Sequence, residues 1–231
     1  MEPTIIIPGH LCTSELFAYQ IPNLWKHSSV TIPSILEGSS LTEMAKDIIQ
    51  KAPSYFSLAG MSMGGFICLE IMKLAPERVS RLALLNSSAR PETEEQKKMR
   101  ENLLNKTTLE NFEEILKNMA TTGVHKSRQH DKNLINTIIR MGKETGFDAY
   151  VRQSKALGDR TDNRNILTHI SVPTLVLVGD SDTITPPEYS EEMAEKIPNA
   201  KLIKLYRCGH ATTLEQPEEV NKALIEWLNM S

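Results

Sequence analysis

The sequence is poor in cysteine. Cys12, Cys68 and Cys208 are the only three in 231 residues, and they lie far apart. That spacing excludes a CxxC metal or redox motif, and an odd, low count fits a reducing compartment better than a disulfide framework. Excess charge is also missing. Lys and Arg number 26 against 29 Asp and Glu, a formal net charge of −3. That balance gives no electrostatic case for nucleic acid or an anionic membrane as partner. No apolar run approaches the roughly 18 to 20 residues of a membrane helix. The opening MEPTIIIPGHLC has neither the basic start nor the long apolar stretch of a signal peptide, so the expected location is the cytoplasm. The six histidines form no HxxxH or HExxH pair, so no metal site is expected. Internal repeats and low-complexity tracts are absent as well.

What is present is ordinary globular material, 40% hydrophobic and 24% charged. The length is that of one domain with a sizeable core. Short β-branched or apolar runs predict strands at 4–7, 30–35, 55–59, 79–86, 174–179 and 200–205, the second weakened by Pro33. Helical spacing predicts helices behind a Ser40–Glu43 capping box, over 63–74, over 188–196 and over 217–228. Strand and helix alternating in this way imply βαβ units: an α/β fold with about six mainly parallel strands and helices on both faces.

Between 91 and 164 the strand signal stops. Apolar residues recur at helical spacing instead: Met99 and Leu103, then Phe112, Ile115, Leu116 and Met119, and further stripes to Val151. Thr107 and Glu110 suggest a second capping box. This is too long for an ordinary loop and predicts about four helices packed across the top of the sheet. The chain then divides into a core of 1–90 and 165–231 and a helical cap of 91–164.

Gly60-Met-Ser62-Met-Gly64 is G-x-S-x-G between a predicted strand and a predicted helix. A sharp strand-to-helix turn would strain the serine backbone and require neighbours without side chains. Ser62 Oγ would then project from the sheet edge. Met63, opening the helix, would aim its backbone N–H at the same spot. By chance the pattern arises in roughly 5–10% of chains this long, so alone it is also read as a loose turn. A serine nucleophile needs a base and an acid that orients it. Gly209-His210 follows one predicted strand, and Gly179-Asp180-Ser181-Asp182 follows another. Both lie at carboxyl ends, where open α/β sheets place their sites.

The stretches PGHLC, GMSMGG, LAPERVSRLALLNSSARP, VPTLVLVGDSDTITPP and CGHATTLEQP span nearly the whole chain. Together they resemble the α/β-hydrolase superfamily. The nearest resemblance is to small cap-domain carboxylesterases such as the pimeloyl-carrier-protein methyl esterases, and more distantly to enol-lactone hydrolases and cofactor-free haloperoxidases. The resemblance implies Ser62 as nucleophile, His210 as base and Asp182, rather than Asp180, as acid. It implies His10 as one oxyanion donor beside Met63, although Pro8-Gly9 stands where many relatives read His-Gly. It also implies that the sheet starts at the family's third strand and that the cap is inserted before the penultimate one. The expected activity is hydrolysis of a small acyl ester through an acyl-enzyme, without a cofactor. Lactone or C–C hydrolysis, perhydrolysis or a lyase reaction on the same triad is the alternative, and a non-catalytic binding protein is a further one.

Other residues read as structural. His125 and His130 are expected to be solvated, His27 and His169 to lie in loops, and Cys12 and Cys68 to pack. Arg160, Asp162 and Arg164 suit a salt bridge where cap rejoins core. Met119, Phe147 and Tyr150 are candidates to face the pocket.

Overall fold

In the computed structural model, which describes residues 2–230, the apolar runs form six strands. They are β1 (Thr4–Ile7), β2 (Val30–Thr31), β3 (Phe56–Met61), β4 (Val79–Leu85), β5 (Thr174–Gly179) and β6 (Ala200–Leu205). All pair in parallel, in the order β2-β1-β3-β4-β5-β6. The first crossover moves one way across the sheet and every later step moves the other. The winding therefore reverses between β1 and β3, and such a switch opens a crevice at the carboxyl ends of those two strands.

Outside the insertion the helices are α1 (Ile21–Leu24), α2 (Leu41–Lys51) and α3 (Met63–Leu74) before it. The insertion holds α4 (Glu94–Lys106), α5 (Phe112–Thr122), α6 (Lys132–Thr145) and α7 (Phe147–Gly158). After it come α8 (Pro187–Lys196), α9 (Thr212–Glu215) and α10 (Pro217–Leu228). Strands β1, β3 and β5 are largely apolar and fully buried because both faces are covered, whereas the edge strand β6 carries the exposed Lys201 and Lys204. Ile5, Ile7, Leu58 and Leu84 point to the face carrying Met44 and Ile48 of α2, Ile67 and Ile71 of α3, and Met193 of α8. Ile6, Ala59, Leu85 and Leu177 point to the other face, against Phe17, Leu24 and Trp227. Each large side chain so buried contributes roughly 1.5–3 kcal/mol.

Three expectations need correction. The second strand shrinks to Val30–Thr31, because it is an edge strand and Pro33 has no N–H for the ladder. Tyr55 stays outside β3 and is 51% exposed. Thr107 closes α4, its hydroxyl donating to the Leu103 carbonyl at 2.7 Å, and opens nothing. The capping box forms instead at the start of α4, where the Thr93 hydroxyl and the Gln96 side chain exchange bonds with each other's backbone N–H. At α2 half of the expected box forms. Ser40 accepts from the Glu43 N–H, but the Glu43 carboxylate turns to Ser39.

The four-helix insertion lies between β4 and β5. Helix α5 packs on α6 and α4 on α7. Phe112, Leu116 and Tyr150 gather around Leu11, just past β1. That contact sets the insertion over the carboxyl edge. Helix α4 departs from the pattern, for none of its residues is buried, and Met99 and Leu103 are 58% and 40% exposed. Among the described residues no helix is long and apolar enough to cross a membrane.

Glycine is required where β3 meets α3. A Cβ on Gly64 would collide with the Ile7 carbonyl, and one on Gly60 with the Gly64 carbonyl. Those neighbours are backbone and have no room to yield. Gly64→Ala should therefore lower the unfolding free energy by about 3 kcal/mol. Gly158→Ala, whose nearest neighbour is the Arg100 side chain at 3.7 Å, should be neutral or stabilising by up to about 1 kcal/mol. Urea denaturation of both variants checks this, and similar losses in the two would contradict it.

Candidate active site

Ser62 sits between the last residue of β3 and the first of α3, with φ 55° and ψ −116°. Its N–H donates to the Leu85 carbonyl at 2.9 Å. Its own carbonyl accepts from the Gly65 N–H at 2.9 Å and from the Ser87 hydroxyl at 2.9 Å. The backbone is thus held on both sides in a conformation that side-chain-bearing residues seldom adopt. The hydroxyl is left pointing away from the sheet edge.

His210 lies on the loop between β6 and α9. Its Nε2 is 2.9 Å from Ser62 Oγ and its Nδ1 is 2.8 Å from Asp182 Oδ2. Asp182 follows β5 and is buried. Besides His210 it accepts from the Ile184 and Thr185 N–H groups, the Thr185 hydroxyl and the Asn86 side-chain amide. Burial pushes its carboxyl up. The His210 charge and the hydrogen bonds from His210, Asn86 and Thr185 outweigh that and bring it down to about 2. An ionised carboxylate only accepts, so Nδ1 of a neutral His210 carries the proton and Nε2 accepts from Ser62. Asp180 is elsewhere. It is exposed and accepts from the Ser181 hydroxyl at 2.8 Å and the Cys208 N–H at 3.3 Å, tying the ends of β5 and β6 together.

The loop after β1 reaches the same point. A Cβ on Gly9 would lie 3.4 Å from Ser62 Cβ. Among the described residues, the N–H groups of His10 and of Met63, the first residue of α3, have no protein acceptor. Leu11 has φ 57°, which turns the loop sharply. Gln153 of α7, fully buried, fastens that turn: its Oε1 accepts from the Leu11 N–H at 2.9 Å and its Nε2 donates to the Ile35 carbonyl at 3.1 Å. The His10 ring stacks on Tyr150, and its Nε2 meets the Ser154 hydroxyl at 3.3 Å. Burial and the nearby Arg100 charge hold this imidazole far below its ordinary pKa, so it is neutral.

A family model described as the alpha/beta hydrolase fold matches residues 51–217. The chain belongs to the α/β-hydrolase family. It is 27% identical over 190 residues to the pimeloyl-(acyl-carrier protein) methyl ester esterase of Nitrosomonas europaea, a match covering 78% of this chain and 74% of that one. A thermophilic esterase from Thermogutta terrifontis superposes with a TM-score of 0.89 at 25% identity, over 99% of this chain and 90% of its own. An enol-lactonase from Burkholderia xenovorans superposes with a TM-score of 0.86 at 20% identity, over 100% and 92%, and speaks to the fold alone.

In this α/β-hydrolase two chambers meet above Ser62. The first, of about 170 Å³, is walled by Leu16, Leu116, Met119, Ala120, Ile138 and Met141 and includes His210. The second, of about 340 Å³, is lined by Phe66, Glu92, Met99, Arg100, Tyr150 and Tyr189. His10, Ser62, Met119 and Ile184 belong to both. Met119 and Tyr150 thus face the cleft as expected. Phe147 lines neither chamber and packs edge-on against Phe112.

His125 is the other correction. It is 5% exposed rather than solvated, with Nδ1 2.7 Å from the Ser127 hydroxyl. The reason is Glu215, whose carboxylate accepts from the His125 N–H at 2.8 Å and the Gly209 N–H at 3.0 Å. The His210 N–H donates to the Gly123 carbonyl at 2.8 Å, closing the same joint. The Cys12 thiol, partly buried, is pushed by burial up to about 12 and so stays protonated. Arg160 pairs with Glu92, and Arg164 with Asp162. Among the described residues no three metal-ligating side chains come together to hold an ion.

Asn86, Thr185, Gln153 and Glu215 were missed by sequence reasoning. Asn86 had a usable signal, since it ends a predicted strand. The other three are positioned by tertiary contacts.

The depressed Asp182 carboxyl should be visible in acid. Its folded-state pKa of about 2 lies below the ordinary 3.8, so its stabilisation is full above pH 4 and drains away as pH falls towards 2. By pH 3 about 1 kcal/mol should be lost. The stability gap between the parent protein and Asp182→Asn should therefore narrow between pH 5 and pH 3. Urea midpoints across that range test it, and a constant or widening gap would refute the assignment.

Proposed function

We propose that this α/β-hydrolase cleaves small carboxylic esters through an acyl-enzyme on Ser62. The observation that carries the reading is the unbroken hydrogen-bonded series Ser62 Oγ, His210 Nε2, His210 Nδ1, Asp182 Oδ2 at the floor of a two-chambered cleft. His210 takes the Ser62 proton as the oxygen attacks the acyl carbonyl. Asp182 keeps the imidazole in the required tautomer and stabilises the imidazolium. The N–H groups of His10 and Met63 receive the oxyanion, a contribution of roughly 3 kcal/mol per donor. His210 then protonates the leaving alcohol, and water repeats the sequence on the acyl-enzyme. No step calls for a cofactor.

Each residue has a separable test. Ser62→Ala should reduce hydrolysis of p-nitrophenyl butyrate by about 10⁴-fold with the fold intact, because the three groups act as a unit. Asp182→Asn should lower kcat by roughly 10³–10⁴-fold, and Asp180→Asn far less. A larger loss at Asp180 would move the acid by two residues.

The small apolar chamber, of about 170 Å³, sets an expectation about substrate size. Burial of each methylene is worth about 0.8 kcal/mol, close to fourfold in kcat/KM, until the chamber is full. Activity on p-nitrophenyl esters should climb over the short acyl chains and fall for long ones. Rates rising steadily to sixteen carbons, or jumping when substrate forms micelles, would contradict a closed pocket.

A further inference from the structure

The second chamber is unlike the first. At its wall Glu92 is buried, with a side chain only 3% exposed. One carboxylate oxygen, Oε1, takes Arg100 Nε at 2.9 Å and Arg160 Nη1 at 2.9 Å. The other, Oε2, is buried without a partner among the described residues, 3.9 Å from where a Cβ on Gly158 would lie. The two arginines pull the Glu92 carboxyl below its usual range against the opposing effect of burial. The carboxylate is ionised, under-satisfied and inaccessible, so it grips its cations firmly.

The two cations are not equivalent. Arg160 is spent on structure: it donates to the carbonyls of Arg90 and Leu157 at 3.0 Å each, and its guanidinium lies 4.6 Å over the Phe66 ring. Among the described residues Arg100 has only Glu92 as partner, leaves guanidinium hydrogens undirected, and keeps 28% of its side chain exposed. Its charge is felt at His10 beside Ser62. The nearby Arg90 is neutralised by Glu192 and lies over Tyr189. Two arginines against one carboxylate leave a net single positive charge on the chamber wall, held in a partly desolvated place. Nothing comparable occurs in the first chamber, whose wall is apolar.

We infer that the second chamber selects substrates in which one arm of the scissile ester carries an anionic group, a carboxylate or a phosphate, received by Arg100. An incoming carboxylate completes a two-plus, two-minus arrangement, and Arg presents the planar fork that suits it. The arm without charge occupies the apolar chamber. The inference rests on the reading of Ser62 as the reacting atom, and it adds a chemical class to the substrate.

The test measures binding and so does not depend on turnover. On Ser62→Ala protein, calorimetry compares two matched pairs. Methyl hydrogen adipate against the methyl ester of adipic monoamide places the charge on the acyl arm. Butyryl glycolate against butyryl glycolamide places it on the alcohol arm. In at least one pair the carboxylate should bind ten-fold or more tightly than the amide. The ratio should fall to within about threefold in Ser62→Ala/Arg100→Gln and recover in part with Arg100→Lys. Raising sodium chloride from 0.05 to 0.5 M should erode the preference without any change to Arg100. An amide that binds as well as the carboxylate in both pairs overturns the inference, as does a preference that survives Arg100→Gln or high salt. Failure of the ester-cleaving reading would appear separately, as absence of turnover of p-nitrophenyl butyrate by the parent protein.

Discussion

The backbone of Ser62 is the constraint on which the rest depends. A side chain at φ 55° and ψ −116° costs on the order of 1–3 kcal/mol, and the conformation persists only if its surroundings leave no alternative. Here they leave none. Helix α3 starts at the next residue, Gly64 lies against the Ile7 carbonyl, and Gly60 lies against Gly64. The last residue of β4, Leu85, closes the frame by accepting the Ser62 N–H, and Ser87, two residues further on, donates its hydroxyl to the Ser62 carbonyl. With the serine pinned in this way, the hydroxyl projects and the first N–H of α3 is left over.

The strain is not confined to one residue. Positive φ recurs at Leu11, Asn86 and Arg207, which follow β1, β4 and β6 on the same edge. Two of these turns are secured by specific side-chain bonds. Gln153 holds Leu11, and Asn86 bridges Asp182 and the Thr212 hydroxyl of α9. A fully parallel sheet covered on both faces supplies the rigidity that such an edge needs. The buried central strands are largely apolar because they carry stability, and among the described residues four of the five non-glycine residues with positive φ lie on the edge where polar chemistry is assembled.

This division explains what could be read from sequence. Apolar runs and helical stripes report burial directly, so the β5 and β6 spans and the α3 and α10 spans were legible to the residue. Ser62, Asp182 and His210 were legible because each sits in a short stretch whose glycines and strand ends are local signals. Asp182 needed the family pattern to separate it from Asp180, since both follow the same strand. Gln153 and Glu215 had no local signal, for a polar residue within a helix looks alike whether it faces water or fastens a distant loop. The stripe of Met99 and Leu103 misled for the converse reason. Helical spacing says that a face is apolar, but not whether that face closes on protein or on an open chamber.

The helical insertion therefore does more than cover the cleft. Gln153 of α7 satisfies the loop after β1, and the carbonyl of Gly123, just after α5, satisfies the loop that carries His210. Glu215 binds that second joint from the core side. Lifting the whole insertion would break these bonds together and strand buried N–H groups at about 1–3 kcal/mol each. A rigid opening of the cap is thus opposed by the same contacts that shape the site. Helix α4 stands outside this network, since none of its residues is buried and its Met99, Leu103 and Arg100 edge the second chamber. Local opening concentrates where few buried contacts must be given up. What ties α4 to a buried group is Arg100, held by the Glu92 carboxylate, so the ion pair that anchors this helix is also the one that sets the charge on the wall of the second chamber.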